Sequence, residues 1–269
     1  MLQFCIHKIK TAMCEILALN FNQAVTPTFS FDNFMVRSAR QPHGWGMAWY
    51  NGPDAQIVKA PEQASLSSTA RWLQQSQNVK SNIILSHLRY ATHGELKTEN
   101  THPFDKQFGR KRWTFMHNGT LNNYKRGLKL KHFFPMGATD SEHAFCFLLD
   151  RIRVERKALG GVMPSFDFIE DILHQINAYG YFNAVFSDSE SLFVYHDRNG
   201  YNGLHFAQRQ WPFGSFTFRD SQVRIDLSAH KSPELHGVVI ATKPQTAGEQ
   251  WQAFTPGRLS VFRNGIAQR

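Results

Sequence analysis

Nine short apolar runs, rich in β-branched and aromatic residues and bordered by turn formers, constrain this chain most strongly. They are CEILALNF, GWGMAWY, AQIVKA, NIILSHLRYA, RWTFMHNG, YFNAVFSD, SLFVYHD, GVVIATKP and RLSVFRNG, spread between residues 14 and 265. Their length and composition fit β-strands. Helical character is confined to residues 30–40, 67–77, 139–156 and 165–179. The third of these opens Thr139-Asp140-Ser141-Glu142, a capping signature with acids in the first turn. The fourth opens SFDFIEDIL and runs up to Gly180, a candidate C-cap. Strands first, two long helices in the middle and strands again predict a single α+β domain. Its expected form is two mainly antiparallel sheets packed face to face and covered by helices on the outside.

The chain has no repeat, low-complexity tract or long linker, and 269 residues can bury a sizeable core. No stretch approaches the ~18–20 apolar residues of a membrane span, so no membrane association is expected. The first twelve residues, MLQFCIHKIKTA, lack the apolar centre and small-residue cleavage site of a secretory signal. Cys5, Cys14 and Cys146 cannot make a disulfide framework and suit a reducing, cytoplasmic setting. With no CxxC or HExxH pattern, neither a metal nor another cofactor is expected. His87, His102, His117, His143 and His174 read as core or edge histidines, and Trp113, Trp211 and Trp251 as core or pocket aromatics.

The net charge of +9, from 30 Lys and Arg against 21 Asp and Glu, invites a nucleic-acid reading. The basic clusters at 110–112, 125–131 and 151–157 instead flank apolar runs, which makes them solvated faces rather than one stripe with stacking aromatics. No nucleic-acid partner is expected.

Four segments place polar residues at the end of an apolar run or the start of a helix: Met13-Cys14, 86–94 (SHLRYATHG), 117–120 (HNGT) and 138–142 (ATDSE). Singly each has an ordinary reading. Cys14 can be a small buried hydrophobe, Asn118-Gly119 a turn, Asp140 an N-cap, and Arg89 a side chain snorkelling from a strand edge. Together they complement one amino-acid ligand. Arg89 offers a planar fork for an α-carboxylate, with Thr92 and His93 as added donors, and Asp140 accepts from an α-ammonium. The Asn118 side-chain amide and the Gly119 N–H form a donor pair suited to an oxyanion. As the first residue of a chain, Cys14 would carry a thiol and an α-amine of unperturbed pKa ~7.7–8.0, hence a nucleophile and a base in one residue. Left internal, its nitrogen is an amide and no base.

The ordered set MCEILAL, HGWG, SHLRYATHG, MHNGTL and TDSE resembles the class-II glutamine amidotransferases of the N-terminal-nucleophile (Ntn) hydrolase superfamily. The tail IATKPQTAGEQWQAFTPGRLSVFRNG resembles their stand-alone YafJ-type branch. The resemblance runs from Cys14 to about Gly265. It implies a four-layer αββα sandwich, with Cys14 as nucleophile, its α-amine as base, and Asn118 with Gly119 as oxyanion hole. Arg89, Thr92 and His93 would hold the glutamyl carboxylate and Asp140 the glutamyl amine, with residues 43–46 shaping the pocket wall. Two departures stand out: Tyr90 replaces the tryptophan common in synthase members, and twelve residues precede Met13.

Residues 1–13 are expected to be a leader arising from a misassigned start codon or a processed propeptide, with residues 14–269 forming one amidotransferase domain; a retained, inactivating extension is the third reading. The implied reaction cleaves the γ-amide of glutamine or a γ-glutamyl compound through a Cys14 thioester. Ammonia so released would go to a partner enzyme, or else hydrolysis is the whole function. The competing reading is a non-catalytic glutamine-sensing or regulatory subunit that keeps its leader.

Overall fold

The computed structural model describes residues 13–75, 79–91, 94–228 and 231–269. Two large sheets stack on one another. One has seven strands in the order β14 (Trp251–Ala253), β9 (His205–Gln210), β12 (His236–Ala241), β1 (Glu15–Val25), β4 (Ser81–Leu88), β2 (Trp45–Asn51) and β3 (Asp54–Ala60). The other has six, in the order β16 (Ile266–Ala267), β15 (Leu259–Arg263), β8 (Leu192–Tyr195), β7 (Gly180–Ser187), β6 (Lys111–Leu121) and β5 (Phe104–Phe108). Every pairing in both is antiparallel. A small third sheet, of β11 (Arg224–Asp226), β10 (Ser215–Phe218) and β13 (Thr246–Ala247), is an addition to the two that the sequence predicts.

Side-chain alternation along the strands explains the layers. Ile16 and Ala18 of β1 face Met116 of β6, Val185 of β7 and Val194 of β8 in the core between the sheets. Leu17, Leu19 and Phe21 point the other way, against Phe31, Phe34 and Met35 of helix α1 (Thr28–Arg37) and Leu73 of α2 (Ser68–Gln75). On the far side, Trp113 and Phe115 of β6 pack on Phe145 and Leu148 of α3 (Asp140–Ala158) and Ile172 and Leu173 of α4 (Phe166–Asn177). The order is helices, sheet, sheet, helices: an α+β sandwich of the Ntn-hydrolase type.

All nine apolar runs lie in sheets, and the four helices fall where expected with shifted ends: α1 begins two residues earlier, α3 runs two residues further, and the remaining ends are shorter. Ser76 and Gln77, at the end of the second helical segment, lie outside the described residues. Residues 38–40 form a 3-10 turn after α1 rather than its last turn. Thr139 caps α3, its hydroxyl accepting from Glu142 N at 3.2 Å. Gly180 is not a C-cap: α4 ends at Asn177, and Gly180 opens β7 where a Cβ would collide with the Thr120 carbonyl oxygen. Trp113 is buried in the core, but Trp211 is 46% exposed on a surface loop. Among the described residues, no helix is long and apolar enough to cross a membrane.

Candidate active site

The first sheet residues of β1 set the site. Glu15 pairs with Leu88, the last residue of β4, so Cys14 and Arg89 leave the sheet side by side. Glu15 is buried on the helix-covered face, bound to Arg37 at 3.1 Å and Lys243 at 3.0 Å, while Arg37 also binds Asp220 at 2.6 Å. Ile16 N donates to Thr242 Oγ1 at 2.8 Å and Thr242 N returns a bond to Ile16 O at 3.1 Å. Ion pairs from one side and hydrogen bonds from the neighbouring strand thus fix the backbone on which Cys14 sits.

Cys14 Sγ accepts from Tyr90 N at 3.2 Å and lies 3.4 Å from Tyr90 O. Its carbonyl oxygen accepts from Asn118 Nδ2 at 2.6 Å and from Asn202 Nδ2 at 3.4 Å. Cys14, Arg89, Tyr90, Ala91, Gly119 and Asp140 line one narrow cleft of about 30 Å³, with His102, His117, Thr139 and Ser141 completing its wall.

The ordinary readings of the polar residues do not hold here. Arg89 is 4% exposed and does not snorkel; its guanidinium donates to Glu95 O at 3.3 Å and Gly94 O at 3.5 Å. Asn118 and Gly119 lie within β6, paired with Asn183 and Phe182 of β7, so they form no turn. Asp140 follows the cap, and its Oδ2 accepts from Leu121 N at 2.7 Å, tying α3 to the end of β6. Thr92 and His93 lie outside the described residues, as do Cys5 and the rest of residues 1–12.

Comparison with known proteins gives the family. The family profile described as Glutamine amidotransferases class-II matches residues 13–269. The chain belongs to that family. A protein of Methanocaldococcus jannaschii is 41% identical over 94% of this chain and 70% of its own. The YafJ protein of Escherichia coli K12, named as a glutamine amidotransferase, is 37% identical over 93% of this chain and 97% of its own. A crystal structure of a Pseudomonas aeruginosa protein, titled as a glutamine amidotransferase, superposes with a TM-score of 0.65 at 26% identity, covering 96% of each chain.

In this class-II family member the cleft is electrostatically polarised. Burial pushes the Cys14 thiol up to about 11, against the pull of the Tyr90 backbone bond and the Arg89 charge. Asp140 acts on the same thiol in the opposite sense to Arg89, so both charges are within electrostatic reach of it. Burial lowers the Arg89 value, with Cys14 and Asp140 opposing, and a guanidinium stays protonated.

Sequence reading left several cleft residues without a part. His117 Nε2 donates to Tyr181 O at 3.0 Å, so its Nδ1 accepts from Ser141 Oγ at 2.8 Å; burial lowers its pKa, and the ring is neutral. His102 stacks on His87, ring centres 4.1 Å apart, and burial holds it far below the ordinary histidine value. Residues 43–46, expected as pocket wall, do not line the cleft but back the segment that does: the His43 ring lies 4.9 Å from that of Tyr90, and His43 Nδ1 accepts from Ala91 N at 2.9 Å. The close pairing of β6 with β7 itself requires a glycine at 119. A Cβ there would collide with the Tyr181 carbonyl and come within 2.6 Å of His117 Nε2. Asn202, which bonds the Cys14 carbonyl, and Gln41, whose Nε2 donates to the Met13 carbonyl at 3.0 Å, come from loops that meet the head of β1 only in the fold, and no local pattern announces them.

Proposed function

We propose that this chain hydrolyses the γ-amide of glutamine or of a γ-glutamyl compound, with Cys14, as the first residue of the mature chain, supplying both thiol nucleophile and amine base. The observation that carries the reading is the cleft that gathers Cys14, Arg89, Asp140 and Gly119, with Asn118 bonded to the Cys14 carbonyl. A cation and an anion on the walls of one small cleft complement an α-carboxylate and an α-ammonium, and the thiol between them faces the side chain of that amino acid. The family match spans residues 13–269 and so has Cys14 at its head.

The Cys14 amine takes the thiol proton, and the thiolate attacks the γ-carbonyl, forming an S–C bond while the carbonyl becomes an oxyanion. Asn118 carries two N–H donors; one holds Cys14 O, and the second, with the Gly119 N–H, receives the oxyanion. Collapse breaks the C–N bond, and the ammonium gives its proton to the leaving amine. Water then attacks the thioester with the same amine as base, releasing glutamate and restoring the thiol. Arg89 clamps the carboxylate and Asp140 the ammonium, with Thr92 and His93 as further donors.

One feature favours a second reading, a glutamine-binding subunit that keeps residues 1–13. With Met13 attached, the Cys14 nitrogen is an amide, and burial holds its thiol at about 11. Such a form binds without turnover. Two forms of the chain, one starting at Cys14 and one retaining Met13, separate the readings. The first is expected to release glutamate from glutamine or a γ-glutamyl peptide and to lose this with Cys14→Ala, while Cys5→Ala in the longer form changes nothing. Turnover surviving Cys14→Ala would overturn the proposal. Ammonia from free glutamine points to a partner that uses it; preference for γ-glutamyl peptides makes hydrolysis the whole function.

A further inference from the structure

Gln41 sits beside the bond whose absence the proposed mechanism requires. It is 3% exposed, closes the 3-10 turn at Ser38–Arg40 and is followed by Pro42. Its loop is laced to the cleft: His43 N donates to Arg89 O at 3.2 Å, and Arg89 N to Gly44 O at 2.7 Å. Gln41 Nε2 donates to the Met13 carbonyl oxygen at 3.0 Å, while its Oε1 is buried with no partner among the described residues.

These two atoms make an informative pair. A backbone carbonyl only accepts, so Met13 dictates which way the amide faces, nitrogen toward the chain and oxygen left over. A buried acceptor without a donor is uncommon in folded proteins and calls for an explanation. Loss of Met13 removes the carbonyl and converts the Cys14 nitrogen, about 1.33 Å from the former carbonyl carbon, from an amide into an amine with hydrogens to donate. The half-turn of the Gln41 amide then brings its oxygen to a donor.

We propose that Gln41 is the positioning residue of the Cys14 α-amine: once Met13 is gone, Gln41 Oε1 accepts a hydrogen bond from that amine and turns its lone pair toward the Cys14 thiol. The inference rests on the reading of Cys14 as nucleophile and base. An amine has one lone pair, and anchoring an N–H on Gln41 fixes where that pair points. The same bond is stronger to an ammonium than to an amine, so Gln41 raises the amine's pKa.

The test is the pH dependence of kcat/KM for γ-glutamyl hydrolysis by the chain beginning at Cys14, whose acid limb reports the amine. Gln41→Leu is expected to move that limb down by roughly half to one pH unit and to lower the plateau. Gln41→Glu, nearly isosteric, is expected to move it up, because an anion favours the ammonium further. Thermal melting tracks folding, and if Gln41→Leu does not fold, Gln41→Glu carries the test alone. Limbs that stay in place while plateaus fall mark a structural role only and overturn the inference, leaving the reading of Cys14 intact. A chain starting at Cys14 no more active than one retaining Met13 removes the reading, and the inference with it.

Discussion

The side-chain amide of Asn118 holds the carbonyl oxygen of Cys14 at 2.6 Å, joining the end of β6 in one sheet to the start of β1 in the other. That bond crosses the gap between the sheets at the cleft and sets the proposed oxyanion donor against the proposed nucleophile. Asn118→Ala is therefore expected to cut kcat by roughly 10²–10³-fold, the usual effect of removing one such donor, with a smaller change in KM. Asn118→Asp, which places an acceptor where the oxyanion forms, is expected to be worse than alanine. Steady-state kinetics on a γ-glutamyl substrate check both.

Arg89→Lys keeps the charge but loses the planar fork, and KM for glutamine is expected to rise about 10- to 100-fold, the range of charge-assisted hydrogen bonds worth ~1.5–3 kcal/mol. Asp140→Asn still accepts from Leu121 N through its amide oxygen, so the α3–β6 tie survives. It too is expected to raise KM, with little change in melting temperature. Equal losses in KM and stability would mean that Asp140 is structural.

Much of this was legible in the sequence because the informative strands are buried on both faces and thus continuously apolar. Runs such as NIILSHLRYA and YFNAVFSD need no context to be recognised. Strands β9 (HFAQRQ) and β5 (FDKQF) are half exposed and carry charges, and their pairing comes from the sheets beside them. The site followed the same division. Arg89, Asn118 and Asp140 stand at strand and helix ends that the pattern marks. Gln41 reaches the Met13 carbonyl from a loop 28 positions away and Asn202 reaches the Cys14 carbonyl from one 188 positions away, both set by tertiary packing alone.

Gly119→Ala tests the close approach of β6 and β7. The added methyl meets the Tyr181 carbonyl and His117 Nε2, and overpacking of this kind costs about 1–3 kcal/mol or more. Thermal unfolding is expected to fall by several degrees. An unchanged melting temperature would place the need for glycine at the substrate instead.

His87 makes stability depend on pH. Burial holds its pKa at about 3, and its Nδ1 has no partner among the described residues. The unfolded chain, with an ordinary value near ~6.5, binds the proton first as pH falls, so this contribution is present above pH ~6.5 and is lost progressively down to about 3. Between pH 7 and 5 the loss is roughly 2 kcal/mol for one such group. Urea unfolding at the two pH values is expected to show it, and His87→Gln to flatten the difference. A difference unchanged in His87→Gln would assign the acid sensitivity elsewhere.

The central claim is that Cys14, at the head of its chain, is the attacking group. The most direct measurement is mass analysis of the active protein after treatment with an electrophilic γ-analogue of glutamine, followed by peptide mapping. One adduct is expected, on Cys14, in a chain whose first residue is Cys14. An adduct on Cys5 or Cys146, or an active adduct-forming chain that still carries Met13, would contradict it.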